Sequence, residues 1–283
     1  MLRVLTTALT SPELLRVQAG ALHEYLPPHR FYVVNDAYEA QHFSNHWTHD
    51  MPEAIQNACQ EIGAKHWQFP DRWHFCRWMV FPGTEYSPPA ELQENPNANT
   101  RCADATQYGI QRLLKLSSEP ILLLDADMIP YRPFDTVALL EQHPIWRVSQ
   151  SRPSVEYAWN GLFLMDPRRV KRLDLLNFDC GEVNGERVDV GGQLHWWLLE
   201  NQGLVGDFGH FHSADHWAEM QNGLPRPLYE FMMWSLDHRT DNLSVPETYA
   251  DSFAHLRAGG NWEVREAGVA QERLKRFIAA VTA

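Results

Sequence analysis

The sequence predicts an α/β fold in which a mostly parallel central sheet is flanked by helices. Three observations carry this prediction. The chain opens as strand, helix and strand, the pattern of a right-handed parallel crossover unit. The run from Ile121 to Leu124 is apolar at every position, as in strands that are covered on both faces. Strands and helices continue to alternate along the 283 residues, which are enough for one large domain.

The opening elements follow from local signals. "LRVLTTAL" predicts the first strand, and "SPELLRVQAGALHEYL" predicts a helix with Ser11 as N-cap and Pro12 at the first helical position. Leucines and alanines form an apolar stripe along this helix: Leu14, Leu15, Ala19 and Leu22. "HRFYVVNDA" predicts the second strand, and "PEAIQNACQEIGAKHW" a second helix with Gly63 near its end. Residues 80–100 are rich in Pro, Asn and Gly and predict a long loop.

The later elements are predicted in the same way. A helix over "CADATQYGIQRLLKL" precedes the apolar strand, and "WRVSQ" and "AWNGLFLMD" predict two further strands. "PRRVKRLDLLNF" predicts a helix, and the central Asn-Gly of "GEVNGERV" predicts a tight hairpin. "DVGGQLHWWLLENQG" predicts a helix introduced by glycines. The chain ends in an amphipathic helix, which we expect to pack against the domain and not on a membrane.

Composition restricts the classes of function. The formal net charge is −12, with 36 acidic against 24 basic residues, which argues against a broad phosphate-binding surface. The four cysteines follow no CxxC spacing and are expected to be buried thiols of a reducing compartment. The first residues lack the apolar core of a signal peptide, and no apolar stretch reaches bilayer length. We therefore expect a soluble, cytoplasmic protein.

Two acids, Asp125 and Asp127, come directly after the apolar strand. Unpaired buried carboxylates are costly, so a positive or hydrogen-bonding partner is expected. Alternate residues of an extended chain share a face, and carboxylates in that arrangement suit Mg²⁺ or Mn²⁺ completed by substrate phosphates. Ligands bind at the carboxyl ends of strands in open α/β sheets. The alternative is structural: Asp125 caps a turn and Asp127 pairs with an arginine.

Four stretches occur in an order that is typical of one enzyme family. These are "LLDADM" with the following "PFD", "WNGLFLMD", "VDVGGQLHWWL" and "FAHLRAGGNW". Together they resemble the GT-A type glycosyltransferases with a DxD motif, similar to the glycogenin and bacterial galactosyltransferase-like families, from the first strand to about Trp262. The resemblance implies a Rossmann-like nucleotide-diphospho-sugar transferase fold. It also implies transfer of a sugar from a nucleotide-sugar, with a UDP-sugar as the leading candidate, to a hydroxyl with the help of Mn²⁺ or Mg²⁺.

The resemblance also implies roles for single residues at the metal and the diphosphate. Asp125, Asp127 and His255 would be the metal ligands, whereas a structural histidine is the alternative for His255. Gly259 and Gly260 would let backbone amides approach the diphosphate. Where relatives carry Lys-Pro-Trp this chain has Gly260-Asn261-Trp262, so Arg257 would replace the missing lysine.

For the nucleoside, the resemblance points to the ends of the first two strands. It assigns the base and ribose to polar residues there: Thr6, Thr7, Asn35 and Asp36. Turn-forming chemistry is the alternative for these four. Asp104 would contact the sugar or ribose, and Arg101 the phosphates.

On the acceptor side, Asp189 is the candidate for deprotonating the incoming hydroxyl. A helix N-terminus would keep it ionised, and the alternative is that it is only an N-cap. Asn160 and Trp159 would orient the acceptor, and the remaining lining residues would be Gly191, Gly192, His212 and Trp262. Both stereochemical courses stay open: an inverting enzyme would use Asp189 as base, and a retaining one would use it for positioning.

The resemblance predicts a single domain over residues 1–283. Residues 1–130 would bind the nucleotide-sugar, 131–262 would hold the acceptor and complete the metal shell, and 263–283 would form the terminal helix. The acceptor is open among a glycan, a small molecule, a protein and a modified DNA base.

Two other functions compete with the transferase. "GHFHSADHW" offers His210, His212 and His216 at a zinc-like spacing, with Asp215 beside them, which would suit a zinc-dependent hydrolase. No Glu adjoins these histidines as in H-E-x-x-H. The second alternative is a non-catalytic carbohydrate-binding protein on a degenerate transferase fold, since several of the eleven tryptophans could offer flat faces to sugars.

Overall fold

The computed structural model describes residues 1–38, 48–70, 98–212, 223–238, 246–257 and 267–283. The strands in these ranges are β1 (Leu2–Ala8), β2 (His29–Asn35), β3 (Lys65–Gln68), β4 (Ile121–Asp125), β5 (Met128–Pro130), β6 (Ile145–Arg152), β7 (Val155–Met165), β8 (Gly181–Val183), β9 (Glu186–Val188), β10 (Val205–Asp207), β11 (His210–His212), β12 (Glu247–Tyr249) and β13 (Phe253–His255). The helices are α1 (Pro12–Tyr25), α2 (Met51–Glu61), α3 (Ala98–Leu116), α4 (Thr136–Gln142), α5 (Leu194–Glu200), α6 (Arg226–Asp237) and α7 (Ala267–Val281).

A seven-stranded sheet with the order β10-β6-β7-β4-β1-β2-β3 forms the centre of the fold. β1 pairs in parallel with β2 and β4, β2 with β3, and β10 with β6. Only β7 runs antiparallel to its neighbours, β4 and β6. The predicted α/β fold with a mostly parallel central sheet flanked by helices is therefore confirmed.

The apolar strand β4 lies in the middle of this sheet and is buried on both faces. Leu122 and Leu124 pack with residues of α1 and α2 in one core, while Ile121 and Leu123 pack with residues of α3 and α5 in the other. All four leucine and isoleucine side chains are at most 1% exposed. Coverage on both faces explains why every position of the run is apolar.

A second, four-stranded sheet with the order β11-β12-β13-β5 begins where β4 ends. All its pairs are antiparallel, and β5 pairs with β13 so that His255 lies opposite Met128. Helices α6 and α7 cover this sheet through apolar contacts that include Phe231 and Phe277 with Ile129 and Ala254. The small sheet thus joins the late part of the chain to the end of the central strand.

Several local predictions were wrong, each for an identifiable reason. The predicted second helix ends early because Gly63, at φ +69°, stops it, with the amide of Ala64 donating to the carbonyl of Cys59 at 2.9 Å. Lys65–Gln68 is an edge strand and not part of that helix. Ser11 precedes α1 in a left-handed conformation without a side-chain cap bond. The helix predicted over 167–178 is only a 3₁₀ turn, Leu173–Leu175.

Other local predictions are confirmed. Asn184 and Gly185, both at positive φ, form the two-residue turn between β8 and β9. Cys59 and Cys180 are buried and Cys102 is partly buried, whereas Cys76 lies outside the described ranges, as does the predicted loop up to residue 97. Within the described ranges, no helix has the length and apolarity needed to cross a bilayer.

Candidate metal centre

The two predicted metal-binding acids flank a turn that joins the two sheets. Asp125 is the last residue of β4, Ala126 and Asp127 form the turn, and β5 begins at Met128. The expectation that the acids alternate along one extended strand was therefore wrong. A change of chain direction, and not strand periodicity, brings the two carboxylates together.

The third predicted ligand reaches the same place through the small sheet. Because His255 lies opposite Met128 in the β5–β13 pair, its ring comes beside the turn, with Nε2 3.3 Å from Oδ1 of Asp127. One potential ligand atom from each of Asp125, Asp127 and His255 lies within 4.8 Å of the others. Two carboxylates with one imidazole form an oxygen-rich donor set that fits a hard divalent cation such as Mn²⁺.

Burial and neighbouring charges shift the pKa values of two members of this cluster, Asp125 and His255. Burial, together with the neighbouring carboxylates of Asp127 and Asp189, raises the pKa of Asp125 to about 7, although His255 opposes the shift. Burial alone would lower the pKa of His255, but Asp127 and Glu247 outweigh it and raise that pKa to about 10. These shifts leave a proton on the imidazole of the metal-free protein at neutral pH, and a cation bound by the same residues would have to displace that proton.

Asn160 contacts the acid pair directly. Its Nδ2 donates to Oδ1 of Asp125 at 3.2 Å and lies 3.3 Å from Sγ of Cys102. The antiparallel register of β7 against β4, with Leu162 opposite Leu124, brings Asn160 to this strand end. Asn160 is only 3% exposed, so its observed contact is with Asp125 and not with an open acceptor cleft.

Gln18 fixes the backbone of the turn and was missed in the sequence. It lies on α1, is fully buried, and donates from Nε2 to the carbonyl oxygens of Asp125 and Met128, each at 2.8 Å. The hydroxyl of Thr6 lies 3.0 Å from its Oε1. A polar residue inside the apolar stripe of α1 was the available signal.

Glu247 was also missed, although it lies behind the histidine. It sits on β12 opposite His255, is 3% exposed, and its Oε2 lies 3.2 Å from Nδ1 of His255. The same oxygen accepts from the hydroxyl of Tyr249, and Oε1 accepts from Arg257 at 3.2 Å. Arg257, the predicted diphosphate contact, is thus tied to this carboxylate while remaining partly exposed.

Trp159 forms an aromatic wall beside the same cluster. Its ring lies 5.1 Å from that of His255 and 5.2 Å from that of Tyr249, centroid to centroid. A Cβ at Gly161 would meet the Trp159 ring at 2.1 Å, so the glycine makes room for the indole. Trp159 is half-buried, and part of its surface is therefore available to a ligand.

Asp189 lies in a glycine turn near the acids and not at a helix start. Residues 190–193 form a turn, and α5 begins only at Leu194, so the predicted helix N-terminus beside Asp189 was wrong. Its Oδ1 instead accepts from the amide of Val190 at 2.8 Å. Asp189 is half-buried and close enough to Asp125 to contribute to the raised pKa of that residue.

The two glycines after Asp189 are required for packing. Gly191 has φ +88°, and a Cβ there would lie 2.0 Å from the carbonyl oxygen of Ala158 on β7. A Cβ at Gly192 would lie 2.1 Å from the side chain of Val188. Gly191 thus lets the turn approach β7 closely, and Gly192 leaves room for the Val188 side chain. The acceptor-lining role of both glycines stays a prediction.

The predicted nucleoside contacts divide into buried and accessible residues. Thr6 and Asn35 are fully buried, and the amide of Asn35 bonds to Pro52 and His66, so the fold uses both side chains internally. The nucleoside contacts predicted for these two residues remain predictions. Thr7 is half-buried and lies beside Asp125 in the β1–β4 register, which keeps it as a candidate.

Arg101 and Asp36 form a buried ion pair. Nη2 of Arg101 lies 2.9 Å from Oδ1 of Asp36, and the two side chains are 5% and 6% exposed. The pair joins the start of α3 to the end of β2, which gives both residues a structural role. Asp104, one turn further along α3, is 4% exposed. The ligand contacts predicted for these three residues remain predictions.

The remaining predicted residues lie outside the described ranges or have undescribed side chains. Gly259, Gly260 and Trp262 belong to residues 258–266, and Asp215 and His216 to residues 213–222. His210 and His212 lie on β11, whose backbone alone is described. The zinc-hydrolase hypothesis therefore concerns a part of the chain that the structure does not describe.

No family model and no curated protein matches the chain. Among solved structures, the chain is similar to the apo form of mouse xyloside xylosyltransferase 1, with 10% identity, a TM-score of 0.39, and 73% of this chain and 83% of that one covered. It is also similar to an active-site mutant of LgtC, with 13% identity, a TM-score of 0.39 and 81% of each chain covered. A third match is the glycosyltransferase GlyE of Streptococcus pneumoniae, with 13% identity, a TM-score of 0.37, and 99% of this chain but 62% of that one covered. The chain thus shares similarity with glycosyltransferase structures, and at these scores the likeness assigns neither activity, donor nor acceptor.

Proposed function

We propose that this protein is a metal-dependent glycosyltransferase that moves a sugar from a nucleotide-sugar to a hydroxyl acceptor, with a UDP-sugar as the first donor to test. The observation that carries the proposal is the cluster of Asp125, Asp127 and His255, whose ligand atoms lie within 4.8 Å of one another. The cluster sits at the carboxyl end of a central parallel strand, where open α/β sheets bind their ligands.

Three side chains would hold Mn²⁺ or Mg²⁺: the two aspartates through carboxylate oxygens and His255 through Nε2. The cation would act as a Lewis acid that stabilises the charge of the departing diphosphate. A carboxylate pair with few protein ligands suits this task because substrate phosphate oxygens complete the shell. Arg257, partly exposed beside the cluster, would add positive charge next to the same diphosphate.

The remaining residues would bind and orient the two substrates. Thr7, beside Asp125 at the end of β1, would lie against the nucleotide. The half-buried face of Trp159 would pack on a sugar ring, and the indole is held in place by His255 and Tyr249. Asp189, half-buried near Asp125, would accept the proton of the acceptor hydroxyl or position the sugar.

The proposal is tested by incubating purified protein with a panel of UDP-, GDP- and ADP-sugars, with Mn²⁺ or after EDTA treatment. Release of the free nucleoside diphosphate, measured by chromatography, reports transfer or slow hydrolysis. We expect release with one donor, only when the cation is present. Release that persists in EDTA would contradict the metal role.

The same panel distinguishes the alternatives. Binding of a sugar without release of any nucleotide, with or without cation, would favour the carbohydrate-binding protein. Hydrolysis that requires Zn²⁺ and survives Asp127→Asn would favour the hydrolase. Once the donor is known, acceptors of the four predicted classes are compared by product mass.

A further inference from the structure

Glu247 is enclosed by donors on the strand that adjoins the candidate metal centre. It is 3% exposed, and the β12–β13 register places it directly opposite His255. Three side chains approach its two oxygens: Tyr249 and His255 at Oε2, and Arg257 at Oε1. A buried carboxylate held from three sides has a fixed orientation and leaves little room for rearrangement.

The two ring nitrogens of His255 face two different carboxylates. Nε2 lies 3.3 Å from Asp127 on the side of the metal ligands, and Nδ1 lies 3.2 Å from Glu247 on the opposite side. A neutral imidazole has one N–H and one lone pair. Carboxylates can only accept, so in the metal-free protein the protonated ring donates from both nitrogens. When a cation replaces the proton at Nε2, Glu247 retains the N–H at Nδ1, and the lone pair of Nε2 can bind the cation.

We infer that Glu247 is a positioning residue that fixes the tautomer and ring orientation of His255 for cation binding. This inference rests on the metal site of the proposed function. Metal-ligating histidines commonly donate their second N–H to a carboxylate, and loss of that partner weakens metal binding. Tyr249 and Arg257 hold Glu247 in turn, and the Trp159 ring packs against the imidazole.

The spacing of the side chains separates this role from direct ligation. The group of side chains whose ligand atoms lie within 4.8 Å of one another contains His255 and both aspartates, and Glu247 is not a member. Glu247 acts through the far nitrogen of the imidazole. Its substitution therefore alters how His255 binds the cation without removing a ligand.

The first test compares Mn²⁺ affinity by isothermal titration calorimetry on the full chain. Glu247→Gln keeps the shape of the side chain but presents a neutral amide to Nδ1, and we expect an affinity that is about 10- to 100-fold lower. Glu141→Gln, on the exposed side of α4, is the matched control and should bind as the unmodified protein does. Circular dichroism and unfolding curves check that both variants are folded.

The second test reads the tautomer in the unmodified protein and so does not depend on any variant. Protein with ¹⁵N-labelled histidine is saturated with diamagnetic Mg²⁺, and long-range ¹H–¹⁵N spectra assign the proton of His255 to Nδ1 or Nε2. His255→Gln identifies the resonance. We expect the proton at Nδ1, and in Glu247→Gln a mixture of tautomers or a shifted Nε2 resonance.

The outcomes distinguish the inference from the function on which it rests. Unmodified protein that binds neither Mn²⁺ nor Mg²⁺ would overturn the metal site and with it the proposed function. Metal-bound protein with the proton at Nε2 would overturn the role of Glu247 and ligation by His255, while the bound metal would leave the aspartate part of the proposed site standing. Folded Glu247→Gln with the Mn²⁺ affinity of the control would overturn the role of Glu247 alone.

Discussion

The Nε2 amide of Gln18 lies 2.8 Å from the carbonyl oxygen of Asp125, so helix α1 is hydrogen-bonded to the strand end that carries the acid pair. The same nitrogen bonds to the carbonyl of Met128, where the second sheet begins. One buried side chain thus holds both ends of the turn.

Replacing Gln18 by Leu should weaken both folding and metal binding. The change removes the Gln18 amide from the carbonyls of Asp125 and Met128, and a buried group that loses its partner costs about 1–3 kcal/mol. The Thr6 hydroxyl keeps its hydrogen bond to the carbonyl of Leu124 at 3.0 Å. We expect a lower free energy of unfolding in urea and a weaker Mn²⁺ affinity by calorimetry. Gln202→Leu, at an exposed position, is the control. Equal stability of the two variants would contradict the role assigned to Gln18.

Asp125→Asn should abolish metal binding while stabilising the metal-free protein. Because the pKa of Asp125 is raised to about 7, its protonated form stabilises the fold; this contribution is complete below the unfolded pKa of about 4 and is lost as pH rises through 7. At pH 8 the neutral amide removes the repulsion with Asp127 and Asp189. We expect a higher Tm without metal by calorimetry, and no activity.

The stabilisation of the folded protein by Mn²⁺ should distinguish this variant from the unmodified protein. At about 100 times Kd, Mn²⁺ should stabilise the unmodified protein by about 2.7 kcal/mol, and Asp125→Asn should lose that gain. Asp174→Asn, an exposed aspartate on the 3₁₀ turn, should keep it. A variant at position 125 that retains the full Mn²⁺ shift would contradict ligation by this residue.

Metal affinity should rise with pH in two stages. Cation binding requires an ionised Asp125 and an unprotonated Nε2 on His255, whose pKa values are about 7 and about 10. Between these values binding displaces one proton, so log Kd should fall by about one per pH unit; below 7 it displaces two, and the slope approaches two. Calorimetry from pH 6 to 9 in buffers of different ionisation enthalpy counts the protons. A pH-independent Kd would contradict the assignment.

The stability of the metal-free protein should fall as the pH rises, whereas the metal affinity rises. His255 contributes stability that is complete below its unfolded pKa of about 6.5 and is lost as pH rises through 10. The contribution of Asp125 to stability is likewise lost as the pH rises, between about pH 4 and pH 7. Metal-free protein should therefore lose stability from pH 6 to 9 while saturating Mn²⁺ reduces the loss. Unfolding curves at fixed ionic strength measure both trends.

Gly191→Ala should lower the free energy of unfolding far more than Gly203→Ala does. Both glycines have positive φ, +88° and +82°, so both substitutions carry the left-handed penalty of about 1–2 kcal/mol. Only at Gly191 would the new Cβ collide with a backbone oxygen, 2.0 Å away on β7; nothing lies within 4 Å at Gly203. We expect the Gly191 variant to unfold at lower denaturant and to displace Asp189. Equal stability of both variants would show that the turn can move away from β7.

Asp189→Asn should separate chemistry from metal binding. The amide still accepts from Val190 but no longer takes a proton, so we expect turnover to fall by about 10²- to 10⁴-fold. The Mn²⁺ affinity should not weaken, because Asp189 is not a ligand. Steady-state kinetics and calorimetry on the same preparation test this. Unchanged turnover would contradict a role of Asp189 in the reaction.

Local signals predicted the longer strands of the central sheet and most of the helices, but one predicted helix was wrong. The strand β4 and the Asn-Gly hairpin were predictable because each has a signal within a few residues. Burial on both faces gives a continuous apolar run, and a tight turn gives an Asn-Gly pair. The region 167–178 carries helix-compatible spacing, yet it packs as an extended segment with one 3₁₀ turn. Leu175, Leu176 and Phe178 there are buried by tertiary contacts, which override weak helical propensity.

The contacts of the supporting residues could not be predicted locally, although Gln18 stands out as a polar residue in the apolar stripe of α1. Gln18 matters because α1 packs over the end of β4, and Glu247 because β12 lies beside β13; both relationships arise only in the folded chain. Conversely, Thr6 and Asn35 carry polar groups of the expected kind, but the fold uses them internally. The sequence shows which functional groups are present, whereas strand register and packing determine which of these groups are in contact.

The pairing of β5 with β13 has a consequence for biosynthesis. The acids leave the ribosome long before His255, so a nascent chain carries two repelling carboxylates with no imidazole to meet them. The triad is complete only after the late strands have been translated and have docked. If the proposed metal site is correct, a polypeptide that terminates before His255 would lack one of the three metal ligands.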